Sequence, residues 1–252
     1  MPSAGSKAPV VALHGFLGEP ADFAATARAL GQPLLAPALL GPGLLGPASD
    51  LADWPEALLA ELDRASTGEP ALLVGYSMGG RLAMHALARA PGRFCGAMLI
   101  GARLVAPTGA AADARRRWEQ EAARRLREDP WPDFLGWWNG LGVFSGSPHP
   151  PPERPDPGPG RELLARALLN WSPRLHRVGI PELRAAGRPL RLVVGEHDSA
   201  YRSSTDEAIA AGLPATRRII PDAGHRVPHD NPRALAAEIT QFLSEITGRP
   251  SP

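Results

Sequence analysis

Short apolar segments alternate with segments of helical pattern along most of this 252-residue chain. Each apolar segment has strand length, and several are apolar at every position, as in a parallel sheet covered by helices on both faces. Strands are predicted at residues 10–13, 34–36, 71–75, 97–101, 190–195 and 217–220, and helices at residues 21–30, 54–65, 80–90 and 232–246. The sequence therefore predicts an α/β fold with a mostly parallel central sheet. Ligands of such sheets bind at the carboxyl ends of the strands.

The alternation is interrupted between residues 102 and 188, where the pattern is mainly helical. Helices are predicted at residues 110–128 and 161–169, with a tryptophan-rich segment between them. Residues 147–160 hold seven prolines in 14 positions, which predicts an irregular loop, either a linker or a flap over a pocket. We predict a core made of residues 1–101 and 189–252 and an inserted helical cap, or lid, at residues 102–188.

Positive charge is concentrated in this insertion. The whole chain has 27 basic and 26 acidic residues, a net charge of +1 that gives no sign of binding to nucleic acid or to a membrane surface. Residues 102–188 alone carry 14 arginines against 10 acidic residues, a net charge of +4. Arg115, Arg116 and Arg117 are adjacent, so at least one of them should face inward from a helix. An inward arginine needs an anion.

Composition excludes several classes of protein. The single cysteine, Cys95, excludes an internal disulfide and a cysteine-rich zinc site, and it is compatible with a reducing cytoplasm. Residues 1–9 do not form the apolar stretch of a signal peptide, and the most apolar run, at residues 34–45, is cut by prolines and glycines. We expect a cytoplasmic monomer that acts on a small molecule and binds neither nucleic acid nor membrane.

The strongest local signal is Gly75-Tyr76-Ser77-Met78-Gly79, between a predicted strand and a predicted helix. Gly-x-Ser-x-Gly alone is a weak motif. At a strand-to-helix turn, however, it is typical of a nucleophile elbow, which presents its serine at the carboxyl edge of a sheet. The sequence therefore predicts Ser77 as the catalytic serine.

A catalytic serine needs a histidine base, and the base needs an acid that orients it. Asp198 and His225 each follow a predicted strand, and the order Ser, Asp, His is that of the α/β hydrolases. Asp198 is favoured because it lies deeper in its loop, and His225 because Ala223 and Gly224 make a tight turn before it. The alternative acids are Glu196 and Asp222, and the alternative base is His229.

No metal or cofactor is predicted. His225 and His229 have the spacing of metal ligands on a helix, but Pro228 interrupts the helix and no glutamate follows His225. The remaining candidates, at positions 85, 149, 176 and 197, are interpreted as structural or exposed histidines. An oxyanion hole is predicted from two backbone N–H groups, that of Met78 after the serine and that of Phe16 in the loop after the first strand.

These motifs resemble those of the α/β-hydrolase fold over nearly the whole chain, and most closely those of the 2-succinyl-6-hydroxy-2,4-cyclohexadiene-1-carboxylate synthases of menaquinone biosynthesis. Segments 13–18, 75–81, 195–199 and 223–225 carry the resemblance, and Arg81 is its most informative residue. It implies a carbon–oxygen lyase whose triad removes a proton from a succinylated cyclohexene so that pyruvate is eliminated. A serine esterase or carbon–carbon bond hydrolase, and a non-catalytic binding module, are the alternatives.

The resemblance also implies which residues bind the substrate. Such a substrate carries several carboxylates, for which an arginine-rich cap is the expected counterpart. The implied substrate-binding residues are Tyr76, Arg81, Arg115 and Trp138, with Arg116, Arg117 and Trp137 as close alternatives. Ala200 stands where the family usually has a lysine, so one anion contact is missing.

Overall fold

The computed structural model describes residues 8–40, 53–65 and 68–248. In these residues five parallel strands form one sheet in the order β1-β2-β3-β4-β5. The strands are β1 (Val10–Leu13), β2 (Ala71–Tyr76), β3 (Phe94–Ile100), β4 (Leu190–Gly195) and β5 (Ala215–Ile220). The predicted parallel sheet is confirmed. The signal-peptide prediction falls mostly on residues 1–7, and part of the apolar run at 34–45 falls on residues 41–45, all of which lie outside the described residues.

The strand predicted at residues 34–36 is wrong. Leu35 forms only an isolated parallel bridge with Val11, through hydrogen bonds to Val10 and Ala12. Prolines at positions 33 and 37 flank the segment. Because proline has no backbone N–H, the segment cannot extend its pairing in either direction.

Helices cover both faces of the sheet. They are α1 (Ala24–Leu30), α2 (Trp54–Arg64), α3 (Met78–Arg89), α4 (Gly109–Glu128), α5 (Trp131–Asn139), α6 (Gly160–Asn170), α7 (Ile180–Ala186), α8 (Ser199–Ala210), α9 (Val227–Asp230) and α10 (Pro232–Thr247). The helix predicted at residues 21–30 begins as a 3-10 turn, Pro20–Phe23, before α1. No helix in the described ranges is long and apolar enough to cross a membrane.

Successive residues of β1, β2 and β3 pack against opposite layers. Val10 and Val74 contact the layer that contains α1 and α10, whereas Leu73 faces the layer that contains α2 and α3. This is why these three strands are apolar at nearly every position instead of alternating with polar residues.

The helices α4 to α7 lie between β3 and β4, in the segment of the predicted insertion. Residues of α4, α5 and α6 form an apolar cluster of their own, which includes Leu126, Phe134 and Leu168. By contrast, α7 packs on the core helix α3, and its Leu183 belongs to the main apolar cluster. Residues 147–159 form neither helix nor strand, as predicted.

Candidate active site

Four loops meet at the carboxyl edge of the sheet. They follow β1, β2, β4 and β5, and they carry Phe16, Ser77, Asp198 and His225 respectively. Because all the strands are parallel, residues far apart in sequence are brought to one edge. The sheet topology therefore assembles the predicted site.

Ser77 lies at a sharp turn between β2 and α3. Its φ is 52° and its ψ is −108°, a conformation that non-glycine residues rarely adopt. The turn is possible because its neighbours lack side chains: a Cβ on Gly79 would lie 2.2 Å from the carbonyl oxygen of Leu13, and one on Gly75 would lie 2.5 Å from the carbonyl oxygen of Gly79. The glycines of the motif are thus required by close backbone contacts.

Ser77, His225 and Asp198 are linked by hydrogen bonds. His225 Nε2 lies 3.1 Å from Ser77 Oγ, and His225 Nδ1 lies 2.7 Å from Asp198 Oδ2. The histidine and the aspartate are almost fully buried. With Nδ1–H donating to the carboxylate, Nε2 is left as an acceptor for the serine hydroxyl proton.

The alternative acids and base lie elsewhere. Glu196 is exposed, and its Oε2 accepts a hydrogen bond of 3.1 Å from the Asp222 backbone N–H. His229 is paired through Nε2 with the carbonyl oxygen of Pro150 at 2.9 Å. Neither arrangement points a second acid or base at Ser77.

Two residues that the sequence analysis missed support His225. The Tyr201 ring stacks on the imidazole with centroids 4.6 Å apart. Gly101 has a φ of +52°, and a Cβ there would lie 2.9 Å from His225 Cε1. The one available signal was that Gly101 immediately follows β3; Tyr201 lies in the first turn of α8, and no motif in the sequence marks it.

The loop after β1 is held by His14. Its Nδ1 donates to the Gly15 carbonyl at 2.9 Å, and its Nε2 accepts from the Leu39 backbone N–H at 3.2 Å. Burial lowers the pKa of His14, which favours the neutral imidazole that this pairing requires. Phe16, the next residue along the loop, lines the same cavity as Met78 and Ser77.

The main cavity, of about 360 Å³, lies beside Ser77 and His225. Three arginines line it, Arg81, Arg103 and Arg115, and none of the lining residues in the described ranges is acidic. Its remaining wall is largely apolar and includes Trp118, Trp138, Leu141, Val143, Phe144 and Leu168. The cavity therefore combines a serine hydroxyl, an imidazole, positive charge and apolar surface.

Arg81 is a partly buried cation on α3, four residues after Ser77. Its Nη1 donates to the carbonyl oxygen of Trp171, and no carboxylate among the described residues pairs with it. Burial lowers the pKa of Arg81 to about 10, so the guanidinium still carries its charge at neutral pH.

Arg115 differs from Arg81 because it has an acidic partner. Its Nε lies 2.6 Å from Oε1 of Glu119, a fully buried carboxylate that also binds Arg174 at 3.0 Å. The adjacent Arg116 is exposed and pairs with Asp113, and Arg117 is exposed as well. The predicted inward arginine thus exists, but its anion lies within the protein.

The predicted aromatic contacts divide between two cavities. Trp138 packs on Phe16 with ring centroids 4.9 Å apart and lines the main cavity. Tyr76 lines a second, smaller cavity on the other side of these rings. Ala200 lines the main cavity, so the missing lysine would have faced it. Within the described ranges, no cluster of three or more potential metal ligands occurs.

Comparison with known proteins identifies the family. Residues 10–238 match the model of the alpha/beta hydrolase family. A 2-succinyl-6-hydroxy-2,4-cyclohexadiene-1-carboxylate synthase from Enterobacter sp. (strain 638) is 31% identical over 183 residues, which cover 68% of this chain and 66% of that protein. The corresponding synthase from Citrobacter koseri is 32% identical over 182 residues, covering 68% of this chain and 67% of that protein. The chain thus matches about two thirds of the length of these relatives.

Solved structures agree on the fold. MenH from S. aureus superposes with a TM-score of 0.81 at 19% identity, covering 97% of both chains. A thermophilic esterase from Thermogutta terrifontis superposes with a TM-score of 0.73 at 22% identity, covering 96% of this chain and 92% of the esterase. The resemblance to the synthases and the predicted fold class are confirmed, and the chain belongs to the alpha/beta hydrolase family.

Proposed function

We propose that this protein is a carbon–oxygen lyase that eliminates pyruvate from a succinylated enolpyruvyl cyclohexene carboxylate, giving 2-succinyl-6-hydroxy-2,4-cyclohexadiene-1-carboxylate. The observation that carries the proposal is the charge of the main cavity: three arginines and no acidic residue line it in the described ranges. Guanidinium groups bind carboxylates through paired, charge-assisted hydrogen bonds. The names of the curated relatives supply the reaction.

The chemistry needs a base rather than an acyl acceptor. In the product, the ring carbon that bears the succinyl group is part of a double bond. This carbon lies next to the succinyl ketone, and it is the carbon that loses its proton in the reaction. His225 accepts the Ser77 proton, and the serine oxygen takes the substrate proton. The two electrons of the C–H bond form a ring double bond, the existing ring double bond shifts, and the bond to the enolpyruvyl oxygen breaks. The enolpyruvate that leaves takes a proton on its methylene carbon and becomes pyruvate.

The negative charge that develops on the succinyl ketone oxygen needs hydrogen-bond donors. We assign this role to the backbone N–H groups of Phe16, in the loop after β1, and of Met78, the first residue of α3; both residues line the cavity beside Ser77. A Cβ on Gly15 would lie 3.6 Å from Ser77 Cβ, so the loop after β1 approaches the serine closely. The substrate carboxylates face the arginines.

Arg81 is the principal carboxylate ligand in this proposal. Arg115 shares the buried carboxylate of Glu119 with Arg174, so part of its charge is already balanced. Arg103 is exposed and lines the same cavity, where it supplies positive charge on the wall that also contains Ala200. The proposal therefore gives Arg81 a larger effect on turnover than Arg115.

A serine esterase or carbon–carbon bond hydrolase that acts on a small carboxylate-bearing substrate is the second candidate. The apolar wall formed by Trp118, Trp138 and Leu168 favours it, since such a surface accommodates an acyl chain. In that case Ser77 would form a covalent acyl-enzyme, and water would complete the reaction.

A comparison of specificity constants tests the proposal. Purified protein is incubated with the succinylated enolpyruvyl cyclohexene carboxylate and, separately, with a short-chain nitrophenyl ester, with Ser77→Ala as the blank for both. The lyase proposal expects kcat/KM on the order of 10⁴ M⁻¹s⁻¹ or more for the cyclohexene and a far lower value for the ester. The reverse order would establish the esterase instead.

A further inference from the structure

A second cavity lies against the main one, on the far side of a layer of aromatic rings. Phe16, Trp138 and Phe144 line both cavities. The centroids of Phe16 and Trp138 are 4.9 Å apart, and those of Trp138 and Phe144 are 6.1 Å apart. One layer of side chains thus separates the second cavity from the reacting residues.

The second cavity contains a buried cation that forms no ion pair with a described residue. Arg226 is 9% exposed; its Nη2 donates to Asn139 Oδ1 at 2.7 Å, and its Cζ lies 3.8 Å above the Phe144 ring. No carboxylate among the described residues pairs with it. A buried charge that forms no ion pair is costly, because neither an amide oxygen nor a ring face replaces an anion in direct contact.

The other polar groups of the cavity are compatible with an anion. The carboxylate of Asp22 lines it but is already held by Arg154, at 2.6 Å. The lining thus carries two arginines against one acid. Burial raises the pKa of Tyr76, so its hydroxyl stays protonated and can donate a hydrogen bond. Asp230, four residues after Arg226, is buried and accepts from the Gly224 N–H at 2.9 Å; it attracts the charge of Arg226 but forms no ion pair with it.

The cavity is large enough for a small anion. Its volume is about 80 Å³, against about 360 Å³ for the main cavity. One water needs roughly 10 to 15 Å³ of such space, so the cavity holds roughly five to eight water-sized groups. That is enough for a small carboxylate such as pyruvate.

We infer that Arg226 and the cavity around it form a binding site for the small carboxylate that the reaction releases, pyruvate. This inference rests on the proposed function for the identity of the carboxylate. Arg226 binds the carboxylate, the Tyr76 hydroxyl donates to it, and the rings of Phe16, Trp138 and Phe144 separate it from the ring product. The site therefore sets how strongly pyruvate inhibits the enzyme, and it takes no part in binding the ring carboxylates.

Product inhibition of wild-type protein and Arg226→Gln tests the inference. Loss of a charge-assisted contact should raise the inhibition constant for pyruvate about 10- to 100-fold, while KM for the cyclohexene substrate changes less than about threefold. The matched control is Arg89→Gln, which removes the same charge from the exposed end of α3, where Arg89 pairs with Glu56. This control should leave pyruvate inhibition and KM unchanged.

Two outcomes would overturn the inference: pyruvate inhibition that is the same in Arg226→Gln as in the wild type, or a rise in substrate KM as large as the rise in the pyruvate constant. The second outcome would place Arg226 in the ring site. If Arg226→Gln does not show a cooperative thermal transition, Arg226→Lys decides the question. Lysine keeps the positive charge but lacks the planar guanidinium group, so this variant should weaken inhibition by pyruvate about 3- to 10-fold. Unchanged inhibition would refute the site.

Direct binding separates this inference from the proposed function. Saturation transfer from the protein to the methyl resonance of pyruvate needs no turnover, and it should be strong in the wild type and lost in Arg226→Gln. If the protein lacks lyase activity but binds pyruvate through Arg226, the proposed function fails and the site stands. If it is an active lyase whose pyruvate signal does not depend on Arg226, the site fails and the proposed function stands.

Discussion

Replacing Arg81 by methionine separates substrate recognition from structural support. Methionine keeps most of the apolar stem of the side chain and removes the charge and the hydrogen bond to the Trp171 carbonyl. In the proposed reaction this charge faces a substrate carboxylate inside a cavity that has no acidic lining residue in the described ranges. The variant therefore removes the contact with the substrate carboxylate, while an apolar side chain still fills the space at this position of α3.

The expected magnitude follows from the surroundings of Arg81. A hydrogen bond to a charged group contributes roughly 1.5 to 3 kcal/mol, which corresponds to a factor of about 10 to 150. Because Arg81 has no carboxylate partner among the described residues, its charge is available to the substrate. Arg115 has Glu119 at 2.6 Å, so Arg115→Met should cost less than Arg81→Met.

The assay compares kcat/KM for the anionic cyclohexene with kcat/KM for a small neutral nitrophenyl ester, in the wild type, Arg81→Met and Arg89→Gln. We expect Arg81→Met to lower the first value about 10- to 150-fold and to leave the second nearly unchanged, whereas Arg89→Gln changes neither. Equal losses on both substrates would refute the reasoning, because they would show that Arg81 supports the serine turn through Trp171 instead of binding a carboxylate.

Three further changes probe the same site. Ser77→Ala and His225→Ala should each lower kcat on the order of 10³-fold or more, and the double variant should lose little beyond either single one; additive losses would mean that the two residues act separately. Gly101→Ala should lower kcat with little change in KM, since its Cβ would lie 2.9 Å from His225 Cε1; an unchanged kcat would contradict this close approach. Burial, reinforced by the charge of Arg81, lowers the pKa of His85 from 6.5 to about 4. As the pH falls, His85 is therefore protonated in the unfolded chain before it is protonated in the folded protein. The free energy of unfolding, from urea titrations at pH 7 and pH 5, should therefore fall on acidification, and in His85→Leu the fall should be smaller by about 2 kcal/mol. An equal fall in both proteins would show that His85 does not contribute.

The parts of the site that were predictable are those fixed by local backbone geometry. The serine turn needs glycines at 75 and 79 because the backbone approaches within 2.5 Å of where their Cβ atoms would be, and that need is visible in the sequence as a motif. Asp198 and His225 were identified because each follows a strand of a parallel sheet, which brings both to the same edge.

The parts that were not predictable depend on packing between distant segments. The partner of Arg115 is Glu119, one turn further along α4, but the choice between Arg115, Arg116 and Arg117 depends on which face of α4 meets the rest of the protein. The pairing of Arg226 with Asn139 and Phe144 joins residues that are more than 80 positions apart. Neither hydrophobic periodicity nor a sequence motif indicates such contacts.

Histidines 85 and 176 show the same limit. Of the two predicted alternatives, structural or exposed, the structure shows the first, since their rings pack edge to face with centroids 5.3 Å apart. Burial and the nearby Arg81 lower the pKa of His176 to about 3. The proximity of His85 to Arg81 follows from their i, i+4 spacing on α3. The contact of His176 with His85 is a tertiary contact, because His176 comes from the segment after α6.

The central claim is that Ser77 and His225 remove a carbon-bound proton so that pyruvate is eliminated. The most direct test follows pyruvate and the conjugated cyclohexadiene together, from the succinylated enolpyruvyl cyclohexene carboxylate, with wild-type protein and with Ser77→Ala. We predict that the two products appear in equal amounts at the same rate, and that Ser77→Ala slows both on the order of 10³-fold or more. Wild-type protein that forms neither product while it rapidly hydrolyses the nitrophenyl ester would contradict the claim.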